Sequence, residues 1–229
     1  MKSTSDQFAG EEVASSHAYP SGYVVKDIAK QVSRLRELFP ELVGADEQIS
    51  SKPLPPNAEG WFAIPKWQTL APTYGEAVEK VLAMIGSKRT FYNYRKGQTG
   101  PEYLRQHAKT VKMFQKLGDE QKDFDILVVP AQFGLRHRGR SVRRAREVFM
   151  ANEFGLGAFA IGIMLLTHPE REVRLEQLHI DCGDEYSFGG AGGPFGSAPF
   201  FCFRVDEVLF DTHSVVHPHA HDGSASAFL

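Results

Sequence analysis

The sequence predicts an α+β protein, with helices contributed by the N-terminal half and a mixed or mainly antiparallel sheet in the C-terminal half. Three observations lead there. Apolar residues recur at helical spacing in three segments before residue 120. Short β-branched and aromatic runs dominate after residue 125. Helical patterns mostly precede strand patterns instead of alternating with them, which argues against a doubly wound parallel sheet.

The first helix is predicted from Val24, Ile28, Val32, Leu35 and Phe39, with Ser21 as its cap and Pro40 limiting it. Trp61 to Ile64 reads as a short extended segment stopped by Pro65. In Tyr74 to Ile85, residues Ala77, Val78, Val81, Leu82 and Ile85 form one apolar face behind the capping residue Thr73. Phe91 to Tyr94 is extended or an ordered loop, ended by the turn signal Lys96-Gly97. Pro101 suits the first turn of a third helix, on which Leu104, Ala108, Val111, Phe114 and Leu117 point one way and Gly118 marks the end. Ile126 to Val129 is a compact buried strand, and Ser141 caps a helix with apolar Val142, Ala145, Val148 and Phe149. Leu156 to Leu166 is continuously apolar and reads as a central strand, with a buried helix as the alternative. Leu175 to Asp181, Phe200 to Arg204 and Val208 to Phe210 complete the strands.

Four regions are expected. Residues 1–20 read as a disordered polar tail, 21–59 as a helix plus a Pro-rich connector, 60–212 as one α+β domain, and 213–229 as a His-rich tail. The longest apolar run has eleven residues and includes glycines, too short to cross a bilayer. The N-terminal stretch has no apolar core of the kind a signal peptide carries. Two cysteines, Cys182 and Cys202, cannot form a disulfide framework, so a reducing, cytoplasmic setting is expected.

Charge is unevenly placed. Lys88 to Arg146 carries fifteen Lys or Arg against five Asp or Glu, a net of +10; the chain totals -2, so the remainder carries -12. Arg136, Arg138, Arg140, Arg143, Arg144 and Arg146 lie beside the start of the helix capped by Ser141, where backbone N–H groups and the helix dipole favour an anion. Guanidinium groups bind phosphate oxygens bidentately. No Walker-type glycine pattern is present, and the glycine-rich stretch Gly189–Gly196 lacks a dinucleotide fingerprint and reads as a connection. Tyr92 and Tyr94 share one face of an extended segment beside Arg95 and Lys96, a pattern that can stack unpaired bases. Arg105, Lys109, Lys112 and Lys116 form a basic stripe that would line the same groove.

Two further clusters carry chemistry. His179 and Asp181 project from one face of a strand, and Asp184 and Glu185 follow in the next turn; together they offer divalent-cation ligands or a general base. Cys182 faces away from His179 and is not read as a nucleophile. Near the C-terminus His217, His219 and His221 alternate, with Asp222 adjacent and His213 upstream, a composition that binds zinc or another transition ion.

These residues lead to an expectation of nucleic-acid or phosphoanion binding through the arginine surface. A divalent metal ion is the one cofactor suggested. The alternatives are a metal-dependent phosphodiester hydrolase using His179, Asp181, Asp184 and Glu185, and an interaction module for an acidic partner.

Overall fold

The computed structural model describes residues 6–172, 174–188 and 194–229. In chain order the elements are α1 (Ile28–Leu38), β1 (Gly60–Pro65), α2 (Trp67–Leu70), α3 (Tyr74–Lys88), β2 (Phe91–Asn93), β3 (Leu104–Arg105), α4 (Ala108–Glu120), β4 (Ile126–Gln132), α5 (Val142–Val148), β5 (Glu153–Gly155), α6 (Ala158–Thr167), β6 (His179–Asp181), β7 (Glu185–Tyr186), β8 (Ser197–Arg204), β9 (Glu207–Ser214), β10 (Asp222–Ser224) and β11 (Ser226–Phe228). The fold is α+β, as the pattern of segments predicts. Five residues of the Gly189–Gly196 connection, 189–193, lie outside the described residues.

Local chemistry sets the helix starts. Thr73 and Glu76 make a reciprocal capping box on α3, and Ser141 Oγ accepts from Arg144 N at 3.0 Å at the start of α5. Helix α1 begins later than the sequence predicts. Asp27, not Ser21, caps it by accepting from Lys30 N at 2.9 Å, while Val24 stays exposed. Helix α4 also begins later, behind His107. Leu104 therefore belongs to β3, where it is buried and pairs with Tyr186.

The largest local correction concerns Leu156 to Leu166. Its core is helix α6, and every residue from Ala158 to Thr167 is buried. Continuous apolarity suits either a central strand or a helix covered on all sides, and this segment has the length and residues of a helix. Its neighbours are α3, β1 and α1. A Cβ at Gly162 would meet Val81 Cγ1 at 2.5 Å, so this glycine sets the close approach of α6 to α3.

Two sheets organise the strands. One has the order β1-β4-β11-β5; β4 is buried along its whole length, between the six-pair antiparallel register with β1 and the C-terminal strand β11. In the other, the β8–β9 hairpin is central. Strand β6 lies on one edge of β8 and is flanked in parallel by β10, and β2 joins β9 in parallel. Val205 and Asp206 make the β8–β9 turn with φ of 51° and 66°.

The two expected tails are built into the body. Residues of 213–229 supply the end of β9, β10 and β11, and Ala225, Ala227 and Phe228 are fully buried. Near the N-terminus Val13 N donates to Gly139 O at 2.8 Å and Leu178 N donates to Ala18 O at 3.1 Å. Residues from Ile28 to Ala227 share one hydrophobic core, so the Pro-rich stretch before β1 does not separate two cores. No helix among the described residues is long and apolar enough to cross a membrane.

Candidate metal centre

Two stretches read as separate in the sequence meet at one edge of the larger sheet. Strand β6 places His179 and Asp181 on one face by simple alternation. Strand β10 runs parallel beside it with Asp222 opposite His179. From the other side of β8, the end of β9 brings His213, and the turn between β9 and β10 brings His219 and His221. The His213 and His219 rings stack with centroids 5.4 Å apart, and His221 packs edge-on to His179 at 4.9 Å.

Asp222 sits at the middle. Its Oδ1 is 3.3 Å from His179 Nδ1 and 3.9 Å from His221 Nε2, and its Oδ2 is 3.6 Å from His213 Nδ1. Donors held around one tetrahedral zinc at bonds of ~2.0–2.1 Å stand roughly 3.3–3.5 Å apart, so the spacing fits a cation. The outer nitrogens are also engaged. His179 Nε2 faces Leu175 O at 3.2 Å, and His213 Nε2 lies 2.9 Å from Asp181 Oδ1. Metal-binding imidazoles are commonly oriented in this way, by a carbonyl or carboxylate on the far nitrogen.

Hydrogen bonding inside the cluster is incomplete. Asp222 Oδ1, Asp181 Oδ1 and His213 Nε2 are all buried without an aligned hydrogen bond. Leaving one such atom unsatisfied costs about 1–3 kcal/mol. Two of these, Asp181 Oδ1 and His213 Nε2, face each other at 2.9 Å, which leaves Asp222 Oδ1, on a carboxylate of 4 % exposure, as the position suited to positive charge. Without a cation, the imidazoles themselves supply positive charge to the two carboxylates. Burial works against a charged His213, but Asp181 and Asp222 outweigh it and raise its pKa to about 9. Burial works against an ionised Asp222 too, yet the adjoining His179 and His213 hold its carboxyl below the ordinary range. Asp181 is pushed up by burial, with repulsion from Asp222 adding and His213 opposing.

The centre opens into a cavity of about 430 Å³ lined by its four histidines and Asp222 together with Tyr94, Phe200 and Arg204. Tyr94 and Tyr92 are about half exposed, with ring centroids 4.6 Å apart.

Other residues singled out in the sequence lie elsewhere. Asp184 is not at the centre: its carboxylate accepts from Tyr74 Oη and from Ala158 N, each at 2.7 Å, and so caps α6. Burial raises its pKa to about 6. Glu185 pairs with Arg105 at 2.6 Å across β3 and β7. His217 is exposed on the turn, while its neighbours at 219 and 221 reach the centre. His213 and Asp222 are the members that spacing alone did not select. Their signal was proximity to the alternating histidines, without any sign that β6 would pack beside them.

The arginine loop does not enter the cavity. Arg136 pairs with buried Glu153 at 3.1 Å, Arg140 with Glu12 at 3.4 Å, Arg143 with Glu11, and Arg144 with both Asp6, at 2.7 Å, and Glu12. Arg146 donates to the carbonyls of Gly183 and Asp184 at 3.2 and 3.1 Å, and Arg138 to that of His17 at 3.1 Å. Of the other basic residues, Arg95 pairs with Asp211 and Lys109 Nζ donates to Met150 O at 3.3 Å, whereas Lys96, Lys112 and Lys116 are exposed. The expectation of an unneutralised, outward-facing arginine cluster is therefore corrected. The loop's backbone instead braces the centre: Gly139 N donates to Asp222 O at 2.8 Å, and Arg138 bridges to Gly223. Gly134, at φ 121°, makes room for this approach, since a Cβ there would meet Gly223 O at 2.5 Å.

Comparison with protein families, with characterised proteins and with solved structures finds no match to this chain.

Proposed function

We propose that this protein is a metal-dependent hydrolase acting on a phosphodiester, with His179, His213, His219, His221 and Asp222 as the metal-holding residues. The observation that carries the reading is the buried Asp222 Oδ1, which has no aligned hydrogen bond and lies between imidazole nitrogens where the cluster lines an open cavity. Imidazole-rich donor sets favour zinc and other first-row transition ions over Mg²⁺ or Ca²⁺. Closed sites are typical of structural zinc, whereas catalytic ones keep an open side for water and substrate, as here.

A bound divalent ion supplies Lewis acidity and an activated water at neutral pH. The protein's own groups do the rest. Asp181 stands 2.9 Å from His213 Nε2 and fixes the orientation of that ring. Arg204, on the cavity wall, offers a bidentate guanidinium to a phosphoryl oxygen. Tyr94, with Tyr92 beside it, offers an exposed aromatic surface for a base or another planar group next to the phosphate.

The test is hydrolysis of bis(p-nitrophenyl) phosphate and of labelled single-stranded DNA and RNA, with Zn²⁺ or Mn²⁺ added to metal-stripped protein. Cleavage is expected to require the metal and to fall at least ~100-fold in Asp222→Asn and in His213→Ala, since ligand geometry governs both affinity and rate. Absence of turnover with either ion, or turnover indifferent to Asp222→Asn, removes the proposal.

A further inference from the structure

We infer that the centre takes two divalent cations bridged by the Asp222 carboxylate, one on His179, His221 and Oδ1, the other on His213, His219 and Oδ2. The inference rests on the metal-centre reading above and specifies what that centre holds.

Two donor sets are present among the described residues. The ligating atoms of His179, His221 and Asp222 lie within 4.8 Å of one another, as do those of His213, His219 and Asp222, and Asp222 is the member they share. The carboxylate presents a different oxygen to each side. Oδ1 faces His179 and His221 at 3.3 and 3.9 Å, while Oδ2 faces His213 at 3.6 Å. Bonds of ~2.0–2.1 Å let one ion span only about 4.2 Å between opposite donors. A carboxylate that turns one oxygen to each set can serve both with an ion on either side. The separation of a carboxylate-bridged pair, about 3.5–4 Å, is the one that two-metal phosphoryl-transfer sites use to stabilise the attacking and leaving oxygens together.

A second carboxylate stands behind one of the two sets. Asp181 is buried to 1 % exposure, and its Oδ1 lies 2.9 Å from His213 Nε2. Asp211 also lines the cavity, although Arg95 already pairs with it. The two sets come from different pieces of backbone. His179 is fixed by β6, and His213 by β9, while His219 and His221 belong to the turn leading into β10. The stacked series His213, His219 and His221, at 5.4 and 5.9 Å, carries imidazoles from one set across to the other.

Stoichiometry decides the matter in the full-length protein. Metal-stripped protein is titrated with Zn²⁺ by calorimetry, and the loaded protein is analysed for bound metal after gel filtration. Two Zn²⁺ per chain are expected, and His219→Ala and His179→Ala should each retain one. Mn²⁺-loaded wild type should give the exchange-coupled electron paramagnetic resonance spectrum of a bridged pair, a readout that needs no variant to fold. One Zn²⁺ per wild-type chain, with an uncoupled Mn²⁺ spectrum, overturns the paired centre and leaves the hydrolase proposal standing. No bound metal overturns both.

Discussion

The loop from Arg136 to Arg146 and the centre built from His179 to Asp222 are both dense in ionisable side chains, and they resolve their charge in opposite ways. Four of the arginines find acids inside the molecule, Glu153 beneath the loop and Asp6, Glu11 and Glu12 in the N-terminal segment laid over it, while Arg138 and Arg146 meet carbonyls and Arg146 Nε stays buried without a hydrogen bond. The histidine and aspartate side chains converge on one another, yet leave Asp222 Oδ1 buried without an aligned hydrogen bond. Density of charge along the chain thus says little about a ligand. Polar atoms that the fold buries and does not satisfy say more, because leaving them so is costly unless something else completes them.

The comparison can be strained from either side, and the largest effect is expected beneath the arginine loop. Glu153 is fully buried and is met by Arg136 at 3.1 Å, His137 at 2.7 Å, Ser226 at 2.6 Å and the backbone of Met150 at 3.1 Å. Glu153→Gln should lower stability by about 3–5 kcal/mol in urea denaturation, because buried partners are left uncompensated. A loss below about 1 kcal/mol would mean that this carboxylate is not what satisfies the loop.

Acid should act on the same group. Burial opposes ionisation of Glu153, but His137 and Ser226 outweigh it and hold its pKa at about 2, below the ordinary 4.5. A depressed carboxylate pKa stabilises the fold above the unfolded value, and the benefit is lost as pH falls from about 4.5 through about 2. The contribution is on the order of 3 kcal/mol. Denaturation midpoints measured across that window should decline more steeply in wild type than in Glu153→Gln; equal slopes would contradict the assignment.

On the other side of the comparison, Zn²⁺ should complete the histidine–aspartate centre. At free metal one hundred times the dissociation constant, the stabilisation should be about 2.7 kcal/mol. It should appear as a raised melting temperature in wild type and vanish in Asp222→Asn. A smaller disturbance is expected at Gly223, where a Cβ would meet Gly134 O at 2.4 Å. Gly223→Ala should cost about 1–3 kcal/mol by forcing loop and strand apart. It should also weaken Zn²⁺ binding, since the loop braces the strand that carries Asp222; unchanged affinity would uncouple the two regions.

The smallest stability effect, and the sharpest test of the contrast, comes from removing the acids laid over the arginines. Their ion pairs are partly exposed, so Glu11→Ala and Glu12→Ala should each cost below about 1 kcal/mol. The double variant should nonetheless gain salt-sensitive retention on heparin that wild type lacks. If wild type already binds as tightly, the internal pairing does not neutralise the loop.

Much of the fold was legible because its causes are local. The capping of α3 and α5 follows from Thr73 and Ser141, and the buried start of β4 from the aliphatic run Ile126 to Val129. Where the reading failed, two states satisfied one local pattern. An all-apolar stretch serves as central strand or enclosed helix, and Leu156 to Leu166 became the latter once α3, α1 and β1 covered it. The His-rich terminus looked like a tail because Pro218 and the following small residues carry no periodicity. Its two short strands are held by pairing with β6, β4 and β5.

The candidate site divides in the same manner. Alternation along a strand was enough to put His179 and Asp181 on one face, and the chemistry of imidazole and carboxylate was enough to suggest a metal. Sequence also determined the fold class, through the period of its apolar residues. Only tertiary structure could bring Asp222 alongside His179 and His213, separate Asp184 and Glu185 from them, and bring Asp6, Glu11 and Glu12 onto arginines more than 120 positions away. The reason is physical: period and capping act within a few residues, whereas hydrogen bonds and ion pairs depend on distance in space, which strand pairing sets.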